Sequence, residues 1–343
     1  MSADIAINPI SNRASMAYAE NTATPWHGLG QTLTNDATVE KWIEEAGMYY
    51  EVRSSRLAFF PNATEKNGEV ELGEPNLFPS LTGLYRSDNL APLATVSNNY
   101  KVVQPKQVME FFCEMAEKNH LRMDTAGVLR NGAIYWTLAR MNDSMDIVAG
   151  DRVDPYVLLA TSCDGTMATT AQFTSIRVVC QNTLSWAVNQ KDAARVKVPH
   201  NSVFNEESVK AQMGLLDNSW QDFQKKTKRL AKVKVSEEDV IQFMVRVVAG
   251  KTTTGKYGLT ADAAEEKIKE LPNVKRLVET YHMGVGQDSK ATKGTALGLV
   301  AAVSRFYDHE TKAITQDSRL RSTWFGAGKR AKEKAVELVQ DYL

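Results

Sequence analysis

The sequence predicts an α+β fold: an antiparallel β-hairpin sheet with packed helices, followed by an all-α C-terminal region. Three observations carry that prediction. Asn131-Gly132 separates Val128-Leu129-Arg130 from the apolar run 133–140, a hairpin signal because both turn positions need positive φ. Asp164-Gly165 stands in the same way between the apolar runs 156–161 and 168–173. From Glu206 onward, apolar residues recur at helical spacing.

Residues 1–24 are rich in Ala, Asn, Ser and Thr and have no clean period, so 1–35 is expected to be an N-terminal arm and loop, the arm ordered by a partner chain. The segment 38–46 reads as a short helix capped near Asp36 or Thr38 and closed by Gly47. Aromatic and β-branched residues over 49–60 predict a strand, and Pro, Asn and Gly over 61–80 predict a loop. Short strands at 84–86 and 93–96 flank the turn Ser87-Asp88-Asn89. Pro105 suits a first helical turn, and Val108, Phe111, Phe112, Met115 and Ala116 follow at helical spacing. The two hairpins come next, and 176–188 reads mostly as helix. The α+β domain therefore spans 36–190, a linker 191–205, and a helical domain 206–343. Helices are expected at 208–234, from Ser236 (with Asp239 three residues on), and at 262–271, 273–281, 294–307 and 329–343.

The chain has 343 residues, 41 basic and 41 acidic, for a formal charge of zero. Hydrophobic residues make up 43% and charged residues 24%, which excludes wholesale disorder. No apolar run approaches the roughly 20 residues needed to cross a bilayer, so no membrane association is expected. Met1-Ser2-Ala3-Asp4-Ile5 lacks the basic and apolar regions of a signal peptide. Cys113, Cys163 and Cys180 are odd in number and far apart, unlike a disulfide framework, so a reduced compartment is expected. Charge is uneven along the chain. Residues 1–120 hold 9 basic and 15 acidic residues, a net −6, whereas 191–234 hold 10 and 5, a net +5. The basic segment is either a solvated helix face or a surface for a polyanion.

The motifs that suggest catalysis fail on context. Gly250-Lys251-Thr252 resembles the end of a phosphate-binding loop, but Val245 stands where the first glycine is needed, and a helix precedes it rather than a strand. Gly284-Val285-Gly286 lacks the βαβ frame of a dinucleotide site and reads as a helix–helix connection. His27, His120, His200, His282 and His309 show no metal-ligand spacing, and no histidine stands near Cys180 to activate it. The expectation is a protein without enzymatic activity, metal or cofactor. Pro25-Trp26-His27-Gly28-Leu29-Gly30 is a loop that serves either as a structural plug or as a stacking contact.

Binding chemistry is better supported. Lys225, Lys228, Arg229 and Lys232 fall on one stripe of a helix, with few acidic residues four positions away to pair them. Such a stripe suits phosphates. Arg130 and Arg140 lie near the ends of the first hairpin, which bears Tyr135 and Trp136, one on each sheet face. These rings either belong to the core or, on a solvated face, stack with bases beside the arginines. Arg177 is the remaining candidate for such a groove.

Several strings resemble a family of phage- and plasmid-encoded proteins usually called phage/plasmid-like proteins: Pro25-Trp26-His27-Gly28-Leu29-Gly30, Ser162-Cys163-Asp164-Gly165-Thr166, Arg177-Val178-Val179-Cys180-Gln181-Asn182-Thr183-Leu184, Gly294-Thr295 and Asp308-His309. The strings span most of the chain. Cys163 departs from the His of many relatives. The resemblance implies DNA metabolism in a bacterial cytoplasm, and supplies no catalytic residues. The order of hairpins then helix is also similar to the core of single-strand annealing proteins, which act as rings or filaments. The expected function is therefore non-enzymatic binding of single-stranded DNA by a homo-oligomer that promotes annealing. The alternatives are a protein-interaction module acting on a host defence or repair complex, with a host or phage protein as partner, and a self-assembling virion protein.

Overall fold

A computed structural model describes residues 14–20, 30–61, 64–66, 69–118, 120–142, 144–177, 182–184, 195–198, 220–249, 269–312 and 316–343. Antiparallel sheets occupy the N-terminal half and helices the C-terminal region. Among the described residues, no helix is long and apolar enough to cross a membrane.

Among the described residues the main sheet has nine strands. Its path runs β13 (Asn182–Leu184), β12 (Thr169–Arg177), β11 (Arg152–Ser162), β9 (Ile134–Arg140), β8 (Arg122–Leu129), β1 (Met16–Ala19) and β2 (Gln31–Leu33). β10 (Met145–Asp146) pairs with β11, and β14 (Arg195–Val198) with β12. Every pairing is antiparallel except β1 with β2. Both expected hairpins form. In the first, Arg130 joins Asn131 and Gly132 at positive φ (52°, 54° and 98°), so the turn is one residue longer than Asn-Gly alone implies. A Cβ on Gly132 would also collide with the Tyr50 hydroxyl.

The structure corrects four expectations. Residues 16–19 do not belong to an arm: β1 hydrogen-bonds to β8 and β2 inside the sheet, with Met16, Ala17 and Ala19 buried. The stretch 61–80 is not only loop, because β4 (Thr64–Lys66) pairs with β5 (Glu69–Glu71) and β6 (Asn76–Arg86) begins within it. Residues 176–177 and 182–184 are strand rather than helix, held by ladder bonds between β12 and β13. Part of the expected linker, 195–198, is strand β14. β1, β13 and β14 share one physical cause: a short segment with little periodicity takes the conformation that a neighbouring strand edge offers it.

β6 also pairs with β3 (Val52–Phe59) and β7 (Pro92–Ser97) in a second, three-stranded sheet. One end of it, at Tyr50, Val52, Leu84 and Val96, is buried in the core. α1 (Val39–Glu45) starts where Thr38 Oγ1 accepts from the Lys41 N–H, and α2 (Pro105–Lys118) packs beside it and against β8 and β9.

The C-terminal region is helical: α3 (described at 220–230), α4 (Glu237–Ala249), α5 (Pro272–Met283), α6 (Ala296–Arg305), α7 (Gln316–Phe325) and α8 (Ala327–Val339). The capping box foreseen at Ser236 forms: its N–H donates to Asp239 Oδ2 at 2.8 Å, and the Asp239 N–H donates to Ser236 Oγ at 3.2 Å. α6 is buried on all sides from Ala296 to Ser304, so it is the central helix around which α4, α5 and α8 pack. α7 was not foreseen, since its apolar residues show no helical stripe.

One buried cluster joins the two halves, containing Trp42, Phe112, Tyr135 and Phe173 along with Phe243, Leu299 and Val336. A second covers the opposite sheet face and contains Met16, Trp136, Leu138, Tyr156, Leu158 and Trp324. The main sheet is therefore buried on both sides.

Candidate nucleic-acid interface

Alternation along β9 places Tyr135 and Trp136 on opposite faces, as period-2 geometry requires. Neither face is open there. Tyr135 is fully buried near Tyr50 and Cys163, and Trp136, 1% exposed, meets Trp324 of α7 edge-on at 4.5 Å between centroids. The rings are core, and the expectation that one of them stacks on bases fails because helices cover both sheet faces.

The hairpin arginines are committed as well. Arg130 donates to Asp164 Oδ2 at 2.8 Å, and that buried carboxylate also accepts from the Thr166 N–H and hydroxyl. Arg140 lies 2.7 Å from Asp154 Oδ2, while Arg152 Nε donates to Oδ1 at 2.8 Å. Burial disfavours the Asp154 carboxylate. Hydrogen bonds from Ser144 and Arg152 and the charges of Arg140 and Arg152 outweigh it and hold the pKa below the usual Asp value. These cations neutralise buried carboxylates and form no groove. The Arg177 backbone closes β12, and its side chain lies outside the described residues.

A lock behind the first hairpin was not foreseen. The Tyr50 hydroxyl donates to the Gly132 carbonyl at 2.5 Å, and Arg86 donates to the Asn131 carbonyl at 2.9 Å. Arg86 stacks over the Tyr50 ring at 3.8 Å and pairs with Asp88 at 2.7 Å. Burial pushes the neighbouring Cys163 thiol up to about 11. A raised thiol pKa disfavours the thiolate at neutral pH, and the buried cysteine packs within the core cluster.

The basic stripe is different. Trp220, Phe223 and Leu230 of α3 face inward, with Trp220 and Phe223 on Phe173 of β12. Lys225, Lys228, Arg229 and Lys232 are all exposed, and among the described residues none of them makes an ion pair. Helical period sets this orientation for Lys225, Lys228 and Arg229, since anchoring the aromatic positions turns them outward, and Lys232 follows in the turn after the helix.

A second cationic place lies on the other side of β12. Lys329 of α8 donates to Gln172 Oε1 at 2.6 Å, and Gln172 alternates with Phe173 along the strand. A cleft of about 620 Å³ opens there between the β11–β12 loop and the α7–α8 corner. Arg321, Lys329 and Arg330 line it with one acid, Glu333. The sequence signal was present in Arg319, Arg321, Lys329 and Arg330, but it becomes a cluster only when the corner folds α7 back on α8.

Residues 25–29, Cys180 and 250–257 lie outside the described residues. Gly284–Gly286 is the expected connection between α5 and α6. Among the described residues, no group of His, Cys, Asp and Glu could hold a metal ion.

The family described as Domain of unknown function (DUF932) matches residues 92–324, from β7 through nearly all of α7. No curated protein and no solved structure matches the chain.

Proposed function

The chain belongs to the DUF932 family of domains of unknown function, and from that premise we propose that it is a non-enzymatic protein that binds single-stranded DNA through its phosphates along α3. The observation that carries this reading is the row of four exposed cations without an ion pair among the described residues, Lys225, Lys228 and Arg229 on a helix fixed by its aromatic face and Lys232 in the turn that follows it. A strand held by phosphate contacts alone is bound without regard to sequence, and salt weakens it by counterion release. The setting proposed is phage- or plasmid-borne DNA metabolism in a bacterial cytoplasm, with annealing by an oligomer of this chain.

Fluorescence anisotropy of an oligonucleotide across a salt series tests the reading. Each phosphate contact contributes a slope of about −0.7 for a single strand, so four cations give about −3. Light scattering with and without the oligonucleotide reads the oligomer. A flat salt response, or an unchanged slope when all four cations are replaced by Ala, overturns the proposal.

One observation favours a second reading, a protein-interaction module. The far end of the three-stranded sheet exposes Phe59, Phe60, Leu77 and Phe78, with Leu72 nearby, more apolar surface than scattered single residues present. Retention of DNA binding after Phe59→Ser and Phe78→Ser, with no change in oligomer size, separates that surface from the DNA reading.

A further inference from the structure

The cleft at the α7–α8 corner has a charge balance that the DNA reading does not use. Its four charged side chains are not equivalent. Lys329 sits 3.6 Å from Glu333 and also donates to Gln172, so that pair is internally neutralised. Arg321 and Arg330 are exposed and make no ion pair or side-chain hydrogen bond among the described residues. The cleft is thus left with two uncompensated guanidinium groups. A phosphate monoester carries about −1.5 to −2 charge at neutral pH, and guanidinium binds it in bidentate fashion.

The rest of the lining suits the remainder of such a ligand. Ser318, Ser322 and Thr166 line it with hydroxyl groups, of which Thr166 donates to Asp164 at 2.6 Å and Ser322 accepts from the Gly328 N–H at 3.2 Å. Phe325 and Met167 pack one side on the buried cluster of Trp136 and Trp324 and line the cleft with the other, offering a half-buried apolar wall to a flat ring. α8 also begins here. Its first turn contains no acidic residue; the Gly328 N–H there already donates to Ser322 Oγ at 3.2 Å, and the positive end of the helix dipole adds to the arginines. The volume, about 620 Å³, lies within the range of small-ligand pockets.

We infer that this cleft binds a nucleoside monophosphate, its phosphate on Arg321 and Arg330 and its base against Phe325 and Met167. The same chemistry is present in a free nucleotide and in the 5′-phosphorylated end of a DNA strand. The site is separate from α3, because Lys329 and the α3 aromatics engage opposite faces of β12. The inference therefore stands or falls independently of DNA binding by α3.

Calorimetry on the full chain with adenosine 5′-monophosphate, adenosine, and a short oligonucleotide with or without a 5′-phosphate tests it. Binding of adenosine monophosphate at least about tenfold tighter than adenosine assigns the free nucleotide. A preference of the same size for the 5′-phosphorylated oligonucleotide assigns the strand end. In either case Arg321→Ala and Arg330→Ala each abolish the phosphate dependence, while Lys106→Ala, an exposed cation of α2, leaves it intact. Both arginines are exposed, so thermal midpoints of the variants stay near that of the parent. Absence of phosphate dependence in both arms, or its survival in the Arg321→Ala, Arg330→Ala double variant, overturns the inference.

Discussion

Arg140 on the first hairpin and Lys228 on α3 are both cations beside aromatic residues in sequence, and the fold assigns them opposite fates. Arg140 is 18% exposed and bound to Asp154 at 2.7 Å, in a sheet covered on both faces. Lys228 is exposed and makes no ion pair among the described residues, on a helix whose other face is anchored by Trp220 and Phe223. The difference shows that cation density does not define a binding surface. What defines it is whether a carboxylate from a distant strand reaches the cation first. Asp154 faces Arg140 because β11 pairs with β9 in a register that sets Tyr156 opposite Arg140.

The comparison breaks most visibly at the rings. Replacing Trp136 with Ala removes a large buried side chain packed on Trp324, and should destabilise the fold by about 3–5 kcal/mol in chemical denaturation. Nucleic-acid affinity, read where the variant is still folded, should not change. Weaker affinity with little loss of stability would return Trp136 to the binding surface.

Next in size is the Arg140 pair. Asp154→Ala leaves a mostly buried guanidinium without its partner and should cost about 2 kcal/mol. Because the Asp154 pKa is depressed in the fold, its contribution is present above the unfolded value of about 3.9 and disappears as pH falls through the folded value. Denaturation at descending pH should therefore bring wild type and variant together in strong acid. Arg140→Ala should likewise lower stability while leaving the salt slope of DNA binding untouched.

Lys228→Ala sharpens the contrast from the other side. Stability should stay within about 0.5 kcal/mol, and the salt slope should shrink by about 0.7. A stability loss as large as that of Arg140→Ala would mean that α3 is a packed element rather than a free face.

The smallest effect concerns Cys163. With the thiol pushed up to about 11, its thiolate fraction at neutral pH is about 10⁻⁴. Alkylation at Cys163, followed by peptide mass spectrometry, should be slow until the protein is unfolded. Rapid labelling of the folded chain would contradict the locked hairpin turn.

Much of the sheet was legible. Asn131-Gly132 and Asp164-Gly165 encode their turns locally, and the residues that flank them supply the strands. The capping box at Ser236 and the stripe of α3 were legible for the same reason, since their determinants lie within one or two turns of helix. β1, β13 and β14 were not, because three- and four-residue strands are stabilised by edges contributed from elsewhere in the chain. α7 was missed because it packs through Trp324 onto a strand nearly two hundred residues earlier, without a periodic stripe of its own.

By itself, then, the sequence determined the α+β class, the two hairpin turns and the outward direction of the α3 lysines, all of which follow from short-range dihedral preference and helical period. Tertiary structure alone decided that Tyr135 and Trp136 are core, that Arg130 and Arg140 are neutralised, and that Arg321 and Arg330 converge on one cleft. Those outcomes depend on pairing register and on which helix covers which face. Coulombic and packing partners separated by tens to hundreds of residues leave no local pattern in the chain that joins them.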